Sequence, residues 1–180
     1  MTTNDDVTMV RACMAGDREA FGMLVDKYQK PLFNAAYRIT CDTEDAMDAT
    51  QSAFVKAYEK LDTFDTSRRF FSWIYRILLN ESLNIVNHRR RFDTIQEDIS
   101  HPAADASQHL ADDETSRQIQ SALMDMKTDY RVVLVLKHYQ GMSYREMSEV
   151  IGVPEKTVKS RLFSARKQLK DKLLRKGIVR

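Results

Sequence analysis

Proline, glycine and cysteine are all scarce: 3 Pro, 5 Gly and 2 Cys in 180 residues. So little Gly and Pro excludes a collagen-like or Pro/Gly-rich disordered chain. Cys13 and Cys41 make neither a disulfide framework nor a CxxC site, and they read as small core residues in a reducing compartment. No apolar run approaches the ~18 residues a membrane span requires, so no membrane insertion is expected. The first thirty residues lack the basic and apolar blocks of a secretory signal. There is no Gly-rich phosphate loop, no HExxH and no cluster of metal ligands. His88, His101, His109 and His138 are scattered. These absences point away from an enzyme, and no metal or cofactor is expected.

The formal net charge of +2 conceals an uneven layout. Residues 1–91 balance 13 basic against 13 acidic side chains. Residues 92–116 hold 7 acids and no Lys or Arg, whereas residues 117–180 carry 15 bases against 6 acids. A basic C-terminal third is the electrostatic footprint of a nucleic-acid binder. The acidic stretch, with no amphipathic period, reads as a flexible linker. The expected fold is therefore all-α: two small helical domains, 1–91 and 117–180, joined by the acidic linker 92–116. The linker could also screen the basic domain in the unbound chain.

In the first domain Asp17 can cap a helix carrying Phe21, Leu24, Val25, Tyr28, Leu32 and Phe33 at amphipathic spacing, kinked or divided at Pro31. Asp42 opens the next helix. Its apolar side runs Ala46, Ala49, Ala53, Phe54, Ala57, Tyr58 and Leu61. Residues 54–75 then concentrate seven of the sixteen aromatics, interleaved with Arg68, Arg69 and Arg76. Rings beside arginines on a loop and its adjoining helix suit unstacked bases, each able to stack for ~1–3 kcal/mol while guanidiniums hold phosphates. About half of these rings are expected in the core. Arg89, Arg90 and Arg91 at the helix end suit phosphate contacts.

In the second domain Ile119, Leu123 and Met126 mark one helix. Asp129 can cap another running from Tyr130 to about Gln140, although Val132-Val-Leu-Val-Leu136 is β-branched enough to resemble a strand. Gly141 stops it. Ser143-Tyr-Arg-Glu146 is a capping box. It opens a short helix with Met147, Val150 and Ile151 inward. Gly152 turns the chain, and Pro154 begins a longer helix with Val158, Leu162, Ala165 and Leu169 buried. Its other side shows Lys156, Lys159, Ser160, Arg161, Arg166, Lys167 and Lys170. A capped short helix, a Gly turn and a basic amphipathic helix form a helix-turn-helix, whose second helix enters the major groove.

Three segments in this order resemble bacterial RNA polymerase sigma factors of the extracytoplasmic-function group. Asp45 to Tyr58 resembles region 2.2, Phe64 to Asn80 regions 2.3 and 2.4, and Tyr144 to Arg166 region 4.2. The resemblance implies that Asp45, Asp48, Gln51 and Lys56 bind core RNA polymerase. It implies that Phe64, Ser67, Arg68, Arg69, Trp73, Arg76 and Asn80 hold the opened minus-10 element of promoter DNA, with Arg89 and Arg90 close by. Lys156, Thr157, Lys159, Ser160, Arg161 and Arg166 would read or grip the minus-35 element. It further implies a cytoplasmic initiation factor, held near the nucleoid by polymerase or near the membrane by an anti-sigma factor. Leu78, Ser148 and Lys156 depart from the family pattern, Ser148 standing where alanine is usual.

A stand-alone helix-turn-helix regulator is the main competing reading. A regulator that reads only duplex DNA has no use for the aromatic–arginine segment at 64–76.

Overall fold

The computed structural model describes residues 3–95 and 114–178. Most of the expected linker 92–116 lies outside them, and so does its proposed screening role. The described chain is helical, with no strand among the described residues. The helices are α1 (Thr3–Met14), α2 (Arg18–Thr40), α3 (Thr43–Glu59), α4 (Phe70–Ile95), α5 (Glu114–Met124), α6 (Thr128–Leu134), α7 (Tyr144–Ile151) and α8 (Glu155–Arg175). A 3₁₀ turn spans Leu61–Thr63, and α6 continues into a π-helical turn over Val135–Tyr139.

Local chemistry sets the boundaries. Asp17 Oδ1 accepts from the backbone N–H groups of Glu19 and Ala20, satisfying two of the unpaired donors at the start of α2. Asp42 Oδ1 does the same for Asp45 N–H at the start of α3. Pro31 lies inside α2 but does not divide it, contrary to the alternative left open above. α1 was not expected. It is anchored through Asp6, a carboxylate only 3% exposed that accepts from Tyr28 Oη at 2.6 Å and pairs with Lys27.

α1–α4 form the N-terminal unit. α3 turns Ala46, Ala49, Ala53 and Ala57 inward, all wholly buried. A face of methyl groups lets α3 lie close against α2 and α4, and larger side chains there would force the backbones apart. α4 supplies the bulk, with Phe70, Ile74, Tyr75 and Leu78 almost completely buried. Each such side chain contributes about 1.5–3 kcal/mol through area removed from water.

α5–α8 form the C-terminal unit. The strand-like run Val132–Leu136 is helical, as expected, because it packs on all sides within the core rather than against a partner strand. The start of its helix needs correction. Lys127, not Asp129, occupies the N-cap position, and no side chain caps it. The capping box of α7 is complete: Ser143 and Glu146 each bond the other's backbone N–H. Gly152 closes α7 at φ +76°, a left-handed conformation that costs glycine nothing. Pro154 is the N-cap of α8 rather than its first residue, and its carbonyl accepts from Thr157 and Val158. Ser148 Oγ donates to Val153 O at 2.6 Å, so this departure from alanine ties α7 to its own turn.

The two units pack directly on each other and share one continuous apolar core. At the seam, Arg131 Nη1 donates to Ile39 O at 2.8 Å, Tyr75 Oη donates to Gln140 Oε1 at 2.5 Å, and Arg38 stacks 3.8 Å from the Tyr139 ring. Tyr139 lies in the π turn and Gln140 follows it, so the widened turn reaches α2 and α4 alongside Arg131 of α6, which meets α2, and α7, which lies against α4.

Candidate nucleic-acid interface

α4 carries the first surface. Trp73, Arg76, Asn80, Asn84, Asn87 and Arg91 recur at three- and four-residue intervals, which puts them on one side of a 3.6-residue helix. All are exposed except Trp73, which is half-buried. The stripe extends roughly 27 Å at about 1.5 Å per residue. Beyond Trp73 its residues are amides and guanidiniums, which can donate to both phosphates and base edges. Asn84 and Asn87 were not among the expected contacts, whereas Arg91 is one of the three terminal arginines expected on phosphate.

The loop before α4 is held by a local turn. Asp65 Oδ1 accepts from Ser67 N–H at 3.0 Å and from Ser67 Oγ at 2.7 Å. These two bonds hold the Asp65 carboxyl below the usual carboxylate range. Arg68 and Arg69 stand exposed beyond the turn. Phe64 does not: at 5% exposure it packs against Trp73 and Phe70, ring centroids 5.0 and 5.8 Å away. A ring so placed supports the loop from beneath and cannot stack on a base, which corrects its expected role.

Arg89 and Arg90 have partners within the protein. Arg89 pairs with Asp45 at 2.6 Å and lies 3.5 Å from Asp42, joining α4 to the start of α3. Arg90 Nη2 donates to Thr128 Oγ1 at 2.8 Å across the seam. Arg89 lies opposite the Trp73–Arg91 stripe, and Arg90 stands exposed on its flank.

α3 carries the second surface, and its polar side is split. Asp45 and Lys56 face α4, Asp45 through Arg89 and Lys56 through Glu81 at 2.7 Å. Burial pushes the Asp45 carboxyl up despite the arginine beside it. Asp48 and Gln51 face solvent. Beside them are Met47, Val55 and Tyr58, exposed to 52%, 51% and 46%. Apolar side chains exposed together on one helix mark a protein-binding face. The exposed set at 47, 48, 51, 55 and 58 is therefore the candidate contact that this packing leaves unoccupied, with Asp45 and Lys56 engaged by α4 at its edge.

α8 carries the third surface. Val158, Leu162 and Ala165 are buried against the rest of the C-terminal unit. Lys156, Lys159, Ser160, Arg166, Lys167 and Lys170 are exposed. Lys159 lies over the Tyr144 ring at 5.4 Å, and Ser160 Oγ donates to Thr157 O at 3.0 Å. Arg166 Nε donates to His138 Nε2 at 3.2 Å. Thr157 and Arg161 sit to one side of this face, half-buried, with Arg161 3.6 Å from Asp129. Phe163 is the residue that sequence reasoning missed. It projects from the middle of the cationic face at 73% exposure, more than any other large apolar side chain described. Its position after buried Leu162 was the available signal.

Among the described residues no group of His, Cys, Asp or Glu could hold a metal, and no helix is long and apolar enough to cross a membrane.

Comparison with known proteins accounts for both units. Residues 24–92 match the Sigma-70 region 2 family and residues 116–169 match Sigma-70, region 4. The RNA polymerase sigma-H factor of Pseudomonas aeruginosa is 32% identical, over 97% of this chain and 96% of its own. The ECF RNA polymerase sigma-E factor of Escherichia coli K12 is 31% identical, over 93% and 94%. Among solved structures, CnrH bound to the cytosolic domain of CnrY superposes with a TM-score of 0.74 at 29% identity, covering 94% of this chain and 97% of that one. The sigma factor RpoE in complex with the anti-sigma factor NepR, from Bartonella quintana, gives 0.68 at 25% identity, covering 85% and 96%.

Proposed function

The chain belongs to the extracytoplasmic-function (ECF) group of the sigma-70 family, and we propose that its three exposed surfaces divide promoter-directed initiation among them. It is a transcription initiation factor, not an enzyme: it binds core RNA polymerase and directs it to promoters. The α3 face, with Met47, Asp48, Gln51, Val55 and Tyr58, docks on polymerase. The Arg68–Arg69 loop and the α4 stripe hold the opened minus-10 strand. α8 reads the minus-35 duplex, its cations on phosphates and Phe163 against a thymine methyl.

The observation that carries this division is the α4 stripe. Half-buried Trp73 heads a row of amides and guanidiniums beside an arginine loop, an arrangement for stacking and phosphate contact with a single strand. A protein that reads only duplex DNA has no use for it.

An anti-sigma factor controls access to these surfaces. Support comes from the two solved relatives above, one of them bound to a protein named as an anti-sigma factor. The factor works in the cytoplasm, with polymerase at the nucleoid when active and near the membrane when its anti-sigma factor is anchored there.

The test is run-off transcription with bacterial core polymerase and a pooled promoter library. Discrete core-dependent starts sharing a spaced pair of upstream elements are expected. DNA binding without any core-dependent start would instead indicate a stand-alone regulator.

A further inference from the structure

Resting on the reading of the Arg68–Arg69 loop as a DNA contact, we propose that Glu146 of α7 occupies Arg69 in place of a promoter phosphate, so that the C-terminal unit folded on the N-terminal unit holds the minus-10 loop closed. Arg69 Nη1 and Glu146 Oε1 are 2.5 Å apart, joining residues 77 positions distant in the chain. The two oxygens of Glu146 are divided. Oε2 accepts from Ser143 N–H at 2.9 Å and from Ser143 Oγ at 2.7 Å, completing the cap of α7. Oε1 is left to face across the seam. A carboxylate on a guanidinium reproduces the charge and geometry that a phosphate oxygen would offer.

Arg69 and Glu146 border a cleft of about 920 Å³, with Arg68 on the N-terminal wall and Arg145 and Glu149 on the other. Arg68 is paired within its own loop to Asp65 at 3.4 Å and Glu149 within α7 to Arg145 at 3.4 Å, so Arg69–Glu146 is the ion pair that spans the cleft. The closure does not depend on the ion pair for its geometry. Arg131–Ile39, Tyr75–Gln140 and Arg38–Tyr139 dock the two units and so position α7 over the loop.

Scale makes the closed form incompatible with initiation. A compact chain of 180 residues has a radius of gyration of about 16 Å. Elements named for positions −10 and −35 lie about 25 base pairs apart, roughly 85 Å of B-form DNA. One closed molecule cannot touch both. The seam must part before both elements are engaged, and Arg69 then exchanges Glu146 for DNA.

The decisive measurement is a double-mutant cycle on the full chain without polymerase, read by fluorescence anisotropy with a labelled single-stranded oligo(dT) 20-mer at low salt. Glu146→Gln preserves the cap, because glutamine serves at this position of a capping box. It is expected to bind the oligonucleotide about 3- to 10-fold more tightly than wild type. Arg69→Ala is expected to bind more weakly, and Arg69→Ala/Glu146→Gln no more tightly than Arg69→Ala. Equal affinity of Glu146→Gln and wild type overturns the proposal. So does an equal gain in the Arg69→Ala background, which would trace the effect to net charge alone, and so does the absence of binding by any variant. Core-dependent run-off is measured separately on the same proteins. A chain that initiates normally but shows no Arg69–Glu146 coupling refutes the closure while leaving the sigma-factor reading intact; failure of initiation refutes the latter.

Discussion

Arg131 of α6 donates a 2.8 Å hydrogen bond to the carbonyl of Ile39, in the last turn of α2. The last carbonyls of a helix lack intrahelical partners, and a cation there also meets the favourable end of the helix dipole. A side chain of the C-terminal unit therefore completes a helix of the N-terminal unit. Arg131 is only 5% exposed, and its other donor reaches Met126 O at 3.3 Å. The Cys41 thiol lies 2.5 Å from the same guanidinium, yet burial pushes its pKa up more than the arginine lowers it, so it rests as a neutral thiol.

Replacing Arg131 with methionine removes these donors and strands the Ile39 carbonyl. The expected loss is about 2 kcal/mol, within the cost of leaving a buried polar group unpaired. It should appear as a lower urea midpoint at constant m value. Arg131→Lys should recover little, because an ammonium cannot serve the two carbonyls in the fixed fork of a guanidinium. An unchanged midpoint would show that the contact contributes nothing.

On α3 the structure separates stability from binding. Lys56→Ala removes an ion pair whose lysine is 44% exposed, so it should cost about 0–1 kcal/mol of stability and leave polymerase affinity unchanged. Met47→Glu and Gln51→Ala touch exposed side chains, so the fold should stand within about 0.5 kcal/mol while affinity for core polymerase falls. Competition against wild-type factor for core enzyme reads the difference. The reverse ranking would return Lys56 to the interface.

Phe163→Ala should leave the urea midpoint unchanged, because the ring is 73% exposed. In holoenzyme it should weaken binding to the cognate minus-35 element by about 1 kcal/mol, with little effect on a scrambled element. Lys167→Ala should instead weaken both and flatten the salt dependence. A uniform loss for Phe163→Ala would mean that the ring does not read sequence.

His138 gives the account a pH dependence. Burial, then Arg166 and Lys137, lower its pKa from the ordinary 6.5. Between the folded value and 6.5 the unfolded chain binds more protons, so stability rises with pH through that window. The penalty is complete below the folded value and absent above 6.5. Wild type should therefore lose stability between pH 7 and pH 5.5 by more than His138→Gln, whose amide oxygen can still accept from Arg166. Identical pH profiles of the urea midpoint would remove His138 from the account.

How much the sequence disclosed depended on the range of the interaction. The caps at Asp17 and Asp42, the Ser143–Glu146 box and the Gly152 turn were legible because each is settled within four residues. The buried stripe of α8 was legible from its period. Apart from the helix starts at Lys127 and Pro154, most of what escaped notice requires a partner distant in the chain. Asp45 and Lys56 share a polar helix face with Asp48 and Gln51, and only the packing of α4 shows which pair is occupied. Phe64 is one aromatic among seven in its segment, and nothing local distinguishes the core ring from a free one. Arg89 and Arg90 adjoin Arg91 in sequence, yet successive residues on a helix point about 100° apart, and only Arg91 continues the stripe.

The most direct test places a cleavage reagent on each DNA-facing surface of the assembled holoenzyme. With Cys13 and Cys41 replaced by serine, an iron chelate is tethered at Asn87→Cys on α4 or at Lys167→Cys on α8, and hydroxyl-radical cuts are mapped on a promoter found by run-off. The account predicts two separate, core-dependent zones, near −10 from α4 and near −35 from α8, about 25 base pairs apart. Overlapping zones, or cuts that persist without core polymerase, would contradict it.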